Sequence, residues 1–410
     1  MKKIFILGLL VTSCGIASAQ YRTAAQQQIL TNEDSLSTGG ISFKKTVISG
    51  YGSASYQHNF NAQHSVATLD RAVLFVGHKF NDKIAFFSEL EVENAIVAGD
   101  KPDGEIAMEQ AFLKFNLNPN QYIVAGLFIP RIGILNENHL PVNFNGVERP
   151  LVEQMVIPAT WRELGIGFYG SMNNTPLNYC VSLMNGLSAS GFEHGTGIRD
   201  GRAEGGMASA NSLALSAAVQ YSINNIKLQA SGYIGGSTAL GHRAADSLGL
   251  NSGIFGTPVY LGEADVQYSA HGMSGKILGC YIALPDANKI NKAYDHNIAS
   301  NMYGAYAELA YDMLHSLHKK AQLSVFARYE LMDLNASIPA ESAITDGTLK
   351  QSHLIAGFSY LPIPNVVVKA DVRLMHTGDA NPALVINPAP NALPYKNNNT
   401  FLNIGIGYSF

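Results

Sequence analysis

Glu89, Glu91 and Glu93 alternate with Leu90 and Val92, so in an extended chain all three carboxylates leave one face, about 7 Å from one to the next. Such a row could attract cations or hold calcium, or it could be a solvated wall partly neutralised by a neighbour such as Arg71. Near the C-terminus Lys369, Asp371 and Arg373 share a face, while Val366, Val368, Ala370, Val372 and Leu374 occupy the other. Among the 12 histidines, His315 and His318 form a close pair ahead of Lys319-Lys320. Zinc there would need two further ligands, and the sequence supplies none nearby. No Gly-x-Ser-x-Gly nucleophile motif occurs. Cys180 and Cys280 lie far apart in apolar runs, without the clustering of a disulfide or zinc framework. These residues predict no enzyme, no metal and no cofactor.

The elements that position such rows must be strands. From Thr46 to Phe410 the hydrophobic pattern has period two over segments of about ten residues, the length of a membrane-spanning strand. Sixteen such segments are legible, an even number as single-chain bacterial barrels require. Their connections alternate in length. Short ones, such as 81–83, 118–120, 223–225 and 362–364, interleave with eight of about 8 to about 30 residues, including 131–161, 188–211 and 236–258. Soluble sandwiches lack that alternation of turns and long loops. The fold class expected is all-β: a transmembrane antiparallel β-barrel of about 16 strands, with short periplasmic turns and long external loops. The last segment ends in Tyr408-Ser409-Phe410, which resembles the C-terminal assembly signal of outer-membrane barrels.

Composition points the same way. Only 14% of the residues are charged, against about 25% in soluble domains, and no apolar run after the first residues is long enough for a spanning helix. Residues 1–19 read as an export signal, with Lys2-Lys3, an apolar Ile4 to Val11 and an Ala17-Ser18-Ala19 cleavage site. Cys14 offers an alternative lipidation site. Residues 20–45 are polar and turn-rich and read as a periplasmic extension, leaving 46–410 as the barrel. Without Lys2 and Lys3 there remain 25 basic residues against 31 acidic, so no nucleic-acid partner is expected. Asp34-Ser35-Leu36 and Asp246-Ser247-Leu248 have the form of O-glycosylation acceptors.

Between 106 and 170 four motifs occur in order: Glu109-Gln110-Ala111-Phe112-Leu113-Lys114-Phe115; Ala125-Gly126-Leu127-Phe128-Ile129-Pro130 with Gly133; Glu148-Arg149-Pro150-Leu151-Val152; and Arg162-Glu163-Leu164-Gly165-Ile166-Gly167. Together with Leu69 to Gly77 they resemble the phosphate-selective porin O and P family of outer-membrane porins. The resemblance implies a sixteen-stranded, usually trimeric barrel whose long third loop folds into the lumen, here 131–161. Arg131, Glu148, Arg149 and Arg162 are then the constriction candidates, with Arg149 either a loop anchor or a direct solute contact. Arg71, Glu89, Glu91, Glu93, Lys369, Asp371 and Arg373 are the luminal-wall candidates.

The sequence departs from that family where selectivity is decided. Arg71, Lys114, Arg328, Lys369 and Arg373 face nine acidic luminal positions, Glu89, Glu91, Glu93, Glu263, Asp265, Glu308, Asp312, Glu330 and Asp371. Phosphate selectivity is therefore not carried over, and weak cation preference or neutrality is expected. Ala111, Leu113 and Phe115 read as outward-facing and put Glu109 on the same side, which suggests a contact between subunits. The expected function is a porin in the bacterial outer membrane, passing small hydrophilic solutes or ions, seated in lipid as a homotrimer. The alternative is a barrel serving as an assembly or surface-interaction subunit through its external loops.

Overall fold

The computed structural model describes residues 21–30, 45–95, 104–317, 319–384 and 395–410. Residues 1–19, expected as an export signal and containing Cys14, lie outside the described residues, as do Asp34-Ser35-Leu36 and His318. Sixteen antiparallel strands close into one barrel. The first eight are β1 (Thr46–Asn59), β2 (His64–Lys79), β3 (Ile84–Glu93), β4 (Glu105–Asn118), β5 (Gln121–Phe128), β6 (Glu163–Ser171), β7 (Leu177–Asn185) and β8 (Leu213–Ile223). The remainder are β9 (Ile226–Gly236), β10 (Pro258–Ala270), β11 (Met273–Ala283), β12 (Asn301–Asp312), β13 (Gln322–Ser337), β14 (Lys350–Ile363), β15 (Val366–Thr377) and β16 (Asn398–Ser409). Each pairs with its sequence neighbours, and β16 pairs with β1 in the register Tyr51↔Ser409 to close the ring. Phe410 seals the seam through reciprocal backbone bonds with Gly50 of 2.9 and 3.0 Å. Closure leaves no strand edge unpaired, the condition for a sheet to lie in lipid.

The barrel is apolar outside and largely polar inside. On β16, Ile404, Ile406, Tyr408 and Phe410 are exposed while Asn403 and Ser409 are buried; on β15, Val368, Val372 and Leu374 are exposed while Lys369, Asp371 and Arg373 are buried. One end carries tight turns, such as His271-Gly272, where both residues take left-handed φ of 52° and 78°. That pair of positive φ values matches the twist of a two-residue hairpin. The other end carries the long loops, with one correction: β1 and β2 run on until only Phe60 to Gln63 connect them. Asp246-Ser247-Leu248 stands exposed in the connection between β9 and β10.

Two segments enter the lumen, one of them leading into helix α1 (Ala24–Leu30). The connection from β5 to β6 turns inward, and its short helix α2 (Leu151–Met155) packs Val152 and Val156 with Trp161, Ile132, Met302 and Tyr306 in one buried cluster. The other lies within the stretch 20–45 expected as a periplasmic extension. Residues 21–27 do not stand clear of the barrel but dock inside its short-turn mouth: Ala25 is fully buried and donates its backbone N–H to Ser49 Oγ at 3.2 Å, on the inner face of β1. Tyr21 and Asn143 exchange two 2.9 Å hydrogen bonds, tying this segment to the inward loop. The inner wall there is aromatic rather than polar, formed by Tyr51, Phe75, Phe87 and Phe112.

A bulge corrects the reading of Glu109. The β3–β4 register steps from Glu89↔Gln110 to Leu90↔Met108, which inserts Glu109 as an extra residue and reverses the phase of β4. Met108 and Leu113 both face outward, while Glu109 turns into the lumen and is 1% exposed. It cannot mark a subunit contact.

Candidate functional site

The inward loop owes its position to charges that period two places on the inner wall. Arg328 donates to Glu330 at 2.8 Å and Glu308 at 3.1 Å, then to the loop carbonyls of Asn145 at 3.1 Å and Glu148 at 3.3 Å. Lys369 donates to the Phe144 carbonyl at 2.8 Å and sits 3.6 Å from that ring's centroid. Asp371 accepts the Val147 N–H at 2.7 Å, and Arg373 pairs with Glu148 at 2.7 Å. Glu330 accepts the Val152 N–H at 2.9 Å. On the far wall Gln229 donates to the Gly133 carbonyl at 2.9 Å. The loop thus spans the lumen. Lys369, Asp371 and Arg373 stand on the inner wall, buried as clamps for the loop, whose backbone brings more donors and acceptors than it can satisfy itself. Asp312 does not join them: it caps the turn after β12 by accepting from Leu314 and Leu323 N–H, both at 3.0 Å.

The constriction candidates separate. Arg131 pairs with Glu137 at 2.6 Å and lies against the Tyr169 ring, away from the other three. Glu148 is spent on Arg373. Arg149 and Arg162 open into a cavity of about 350 Å³ together with Arg71, Glu91, Glu93, Glu105 and Glu109 from the wall. Arg199, Asp200, Arg202 and Glu204, from the connection between β7 and β8, close its other side. Sequence reasoning missed this second group, although four charges within Arg199 to Glu204 are conspicuous in a chain so poor in charge.

Most of the cavity's ions are matched. Arg71 holds Glu91 at 3.0 Å and Glu93 at 3.2 Å; Arg162 holds Glu204 at 2.8 Å and Glu109 at 3.7 Å; Arg202 holds Glu204 at 3.0 Å. Arg149 differs. Its Nη1 donates to Thr160 Oγ1 at 2.9 Å, but its buried Nη2 has no partner, and the residue is only 8% exposed. Burial and the neighbouring Arg71 push this guanidinium below its ordinary pKa.

Beneath the cavity His139 latches the loop to the wall. Its Nε2 faces Glu89 Oε1 at 3.2 Å and Glu109 Oε2 at 3.5 Å, and its Nδ1 faces the Asn136 carbonyl at 2.9 Å. Both ring nitrogens therefore meet acceptors and both must donate, which requires the imidazolium. Burial opposes that charge, yet the bonds to Glu109 and Glu89 outweigh it and raise the pKa to about 9. The three side chains offer ligand atoms within 4.8 Å of one another, the spacing of a metal-ligand set. The proton on His139 and the nearby Arg162 already balance the two carboxylates, so the triad is complete as an ionic latch.

With this geometry in hand, comparison with known proteins places the chain. It is 32% identical over 341 residues to an uncharacterized protein of Aquifex aeolicus strain VF5, covering 80% of this chain and 75% of that one. The chain belongs to that protein's family. No protein-family model matches it. Among solved structures it is similar to Salmonella typhi OmpF in complex with daunomycin (TM-score 0.54, 12% identity, 89% of this chain and 97% of that one). An anion-selective porin from Comamonas acidovorans aligns with a TM-score of 0.51 at 11% identity, over 89% of this chain and 99% of that one. The outer-membrane OmpT of Vibrio cholerae gives 0.51 at 10% identity, over 89% and 97%; a trimer form of that OmpT gives 0.50 at 12% identity, over 89% and 99%. At these identities the likeness is one of fold, that of bacterial outer-membrane barrels.

Proposed function

We propose that the chain is an outer-membrane porin, a passive route for small hydrophilic solutes and ions, with residues 1–19 removed on export. The observation that carries this reading is the inward loop: it spans a polar lumen inside an apolar-faced barrel and leaves a cavity lined by side chains of both charges. A cavity of that kind filters by size and charge without chemistry. A homotrimer accompanies the reading, supported by the trimer form of the Vibrio cholerae neighbour and no longer by Glu109. Phosphate selectivity does not, because Arg328, Lys369 and Arg373 are committed to the loop.

Proteoliposomes carrying the purified, folded protein should swell in isotonic solutions of a pentose and fail to swell in a tetrasaccharide. Absence of swelling with the pentose, from protein shown to be folded and inserted, would contradict the reading and favour an assembly or surface role.

A further inference from the structure

Arg149 is the point where the cavity is electrostatically incomplete. Its Nη2 is buried without a partner, and no carboxylate among the described residues lies within ion-pair distance of it. The residue lines the cavity, so a carboxylate seated against it would supply the acceptor that Nη2 lacks. Arg162 adds a buried Nε that is also unpartnered. Glu91, Glu93 and Glu105 also line the cavity and supply an excess of acid. Glu91 and Glu93 share the single Arg71, Glu93 keeps 36% of its side chain exposed, and Glu105 is exposed in the wall.

The balance of charge decides what such a cavity takes. Five arginines stand against six carboxylates around it, so a polyanion brought to Arg149 would meet net repulsion, and a simple cation would leave Arg149 unmatched. A solute with a carboxylate at one end and an ammonium at the other meets both needs. The volume suits a small molecule rather than a polymer.

We propose that this cavity is a binding station for zwitterionic solutes of the amino-acid and short-peptide class, with the carboxylate on Arg149 and Arg162 and the ammonium on Glu93 and its neighbours. The inference deepens the porin reading by naming the solute class, but its test does not depend on transport. Equilibrium dialysis of the folded full-length barrel in detergent should show saturable binding of glycylglycine. That binding should be at least about tenfold tighter than that of N-acetylglycine, which lacks the ammonium, or of glycinamide, which lacks the carboxylate. Inorganic phosphate should not compete.

Arg149→Gln and Glu93→Gln should each lower glycylglycine affinity by about tenfold or more, and Arg149→Lys should recover part of the loss. The wild-type ranking alone decides the matter if a variant fails to fold. Equal binding of N-acetylglycine and glycylglycine, competition by phosphate, or no saturable binding would each overturn the proposal. Pentose swelling would then still stand as the separate measure of whether the barrel conducts.

Discussion

Two of the buried ionisable side chains that hold the inward loop, His139 and Glu153, make its attachment depend on pH. His139 is packed against Glu89, Glu109 and the Tyr51 ring, with Arg162 beyond Glu109. Its pKa stands near 9 against an ordinary 6.5, so its contribution is complete below about pH 6.5 and is lost as pH rises through 9. Glu153 works from the other side. Its Oε2 accepts the N–H groups of Ile134 and Leu135 at 3.0 and 2.6 Å, and Oε1 accepts the Tyr306 hydroxyl at 2.7 Å. Burial outweighs these bonds and raises its pKa to about 7. The loop is thus held best where Glu153 is protonated, below its ordinary 4.5, and less well as pH climbs through 7. Trp161 is the single tryptophan of the chain and is fully buried in the loop, so its emission reports attachment. A red shift on raising pH from 8 to 10 is expected in the wild type and not in His139→Gln; an identical step in both would remove His139 as the latch. Glu153→Gln should keep the loop seated with a weakened pH response below 8. Glu153→Ala should strand two buried N–H groups, at about 2 to 4 kcal/mol by denaturant titration of the Trp161 signal.

At the scale of elements, the wall is shaped to receive the loop. Gly304 of β12 faces α2, and a Cβ there would stand 2.7 Å from Val152 and 3.0 Å from Val156. Gly304→Leu should therefore unseat α2 while leaving the strand ladder intact. A glutamate-specific endoproteinase should then cut after Glu153 in folded barrels, and unchanged protection would argue that the helix has room to move. The strands themselves were legible because period two is enforced by lipid on one side and polar lumen on the other, and the sixteen segments differ from the observed strands mainly at their ends. Three features were not legible, each for a physical reason. The bulge at Glu109 adds one residue without leaving a compositional mark, and it turns Glu109 inward while Leu113 still faces outward as the period predicts. Luminal Tyr51, Phe75, Phe87 and Phe112 read as ordinary strand aromatics, since nothing local says that Leu140 and Ala25 will cover them from inside. Period two places Arg328 and Lys369 in the lumen, but their partners are backbone carbonyls 180 or more residues away, which no local pattern encodes.

For the molecule as a whole, this pairing changes how selectivity is reckoned. An imbalance of nine acidic over five basic positions on the strands no longer sets the field a permeant ion meets, because Glu308, Glu330, Asp371, Arg328, Lys369 and Arg373 are buried in contacts with the loop or with one another. What remains is the cavity, with its near-equal arginines and carboxylates. At physiological salt each of these charges is screened over about 8 Å, so matched pairs cancel and only the local excess acts. The expected selectivity is weak, slightly cationic and fading at high salt. Replacing Glu91 and Glu93 together by Gln should move the reversal potential toward anions, whereas Glu89→Gln, at the latch, should change loop stability more than selectivity. Single-channel recording in planar bilayers tests the central claim most directly. The purified barrel should insert in discrete ohmic steps with a reversal potential near zero in a salt gradient, shifted toward anions in the double variant. Folded, inserted protein that carries no current, or wild-type channels strongly selective for anions and indifferent to the double substitution, would contradict the account.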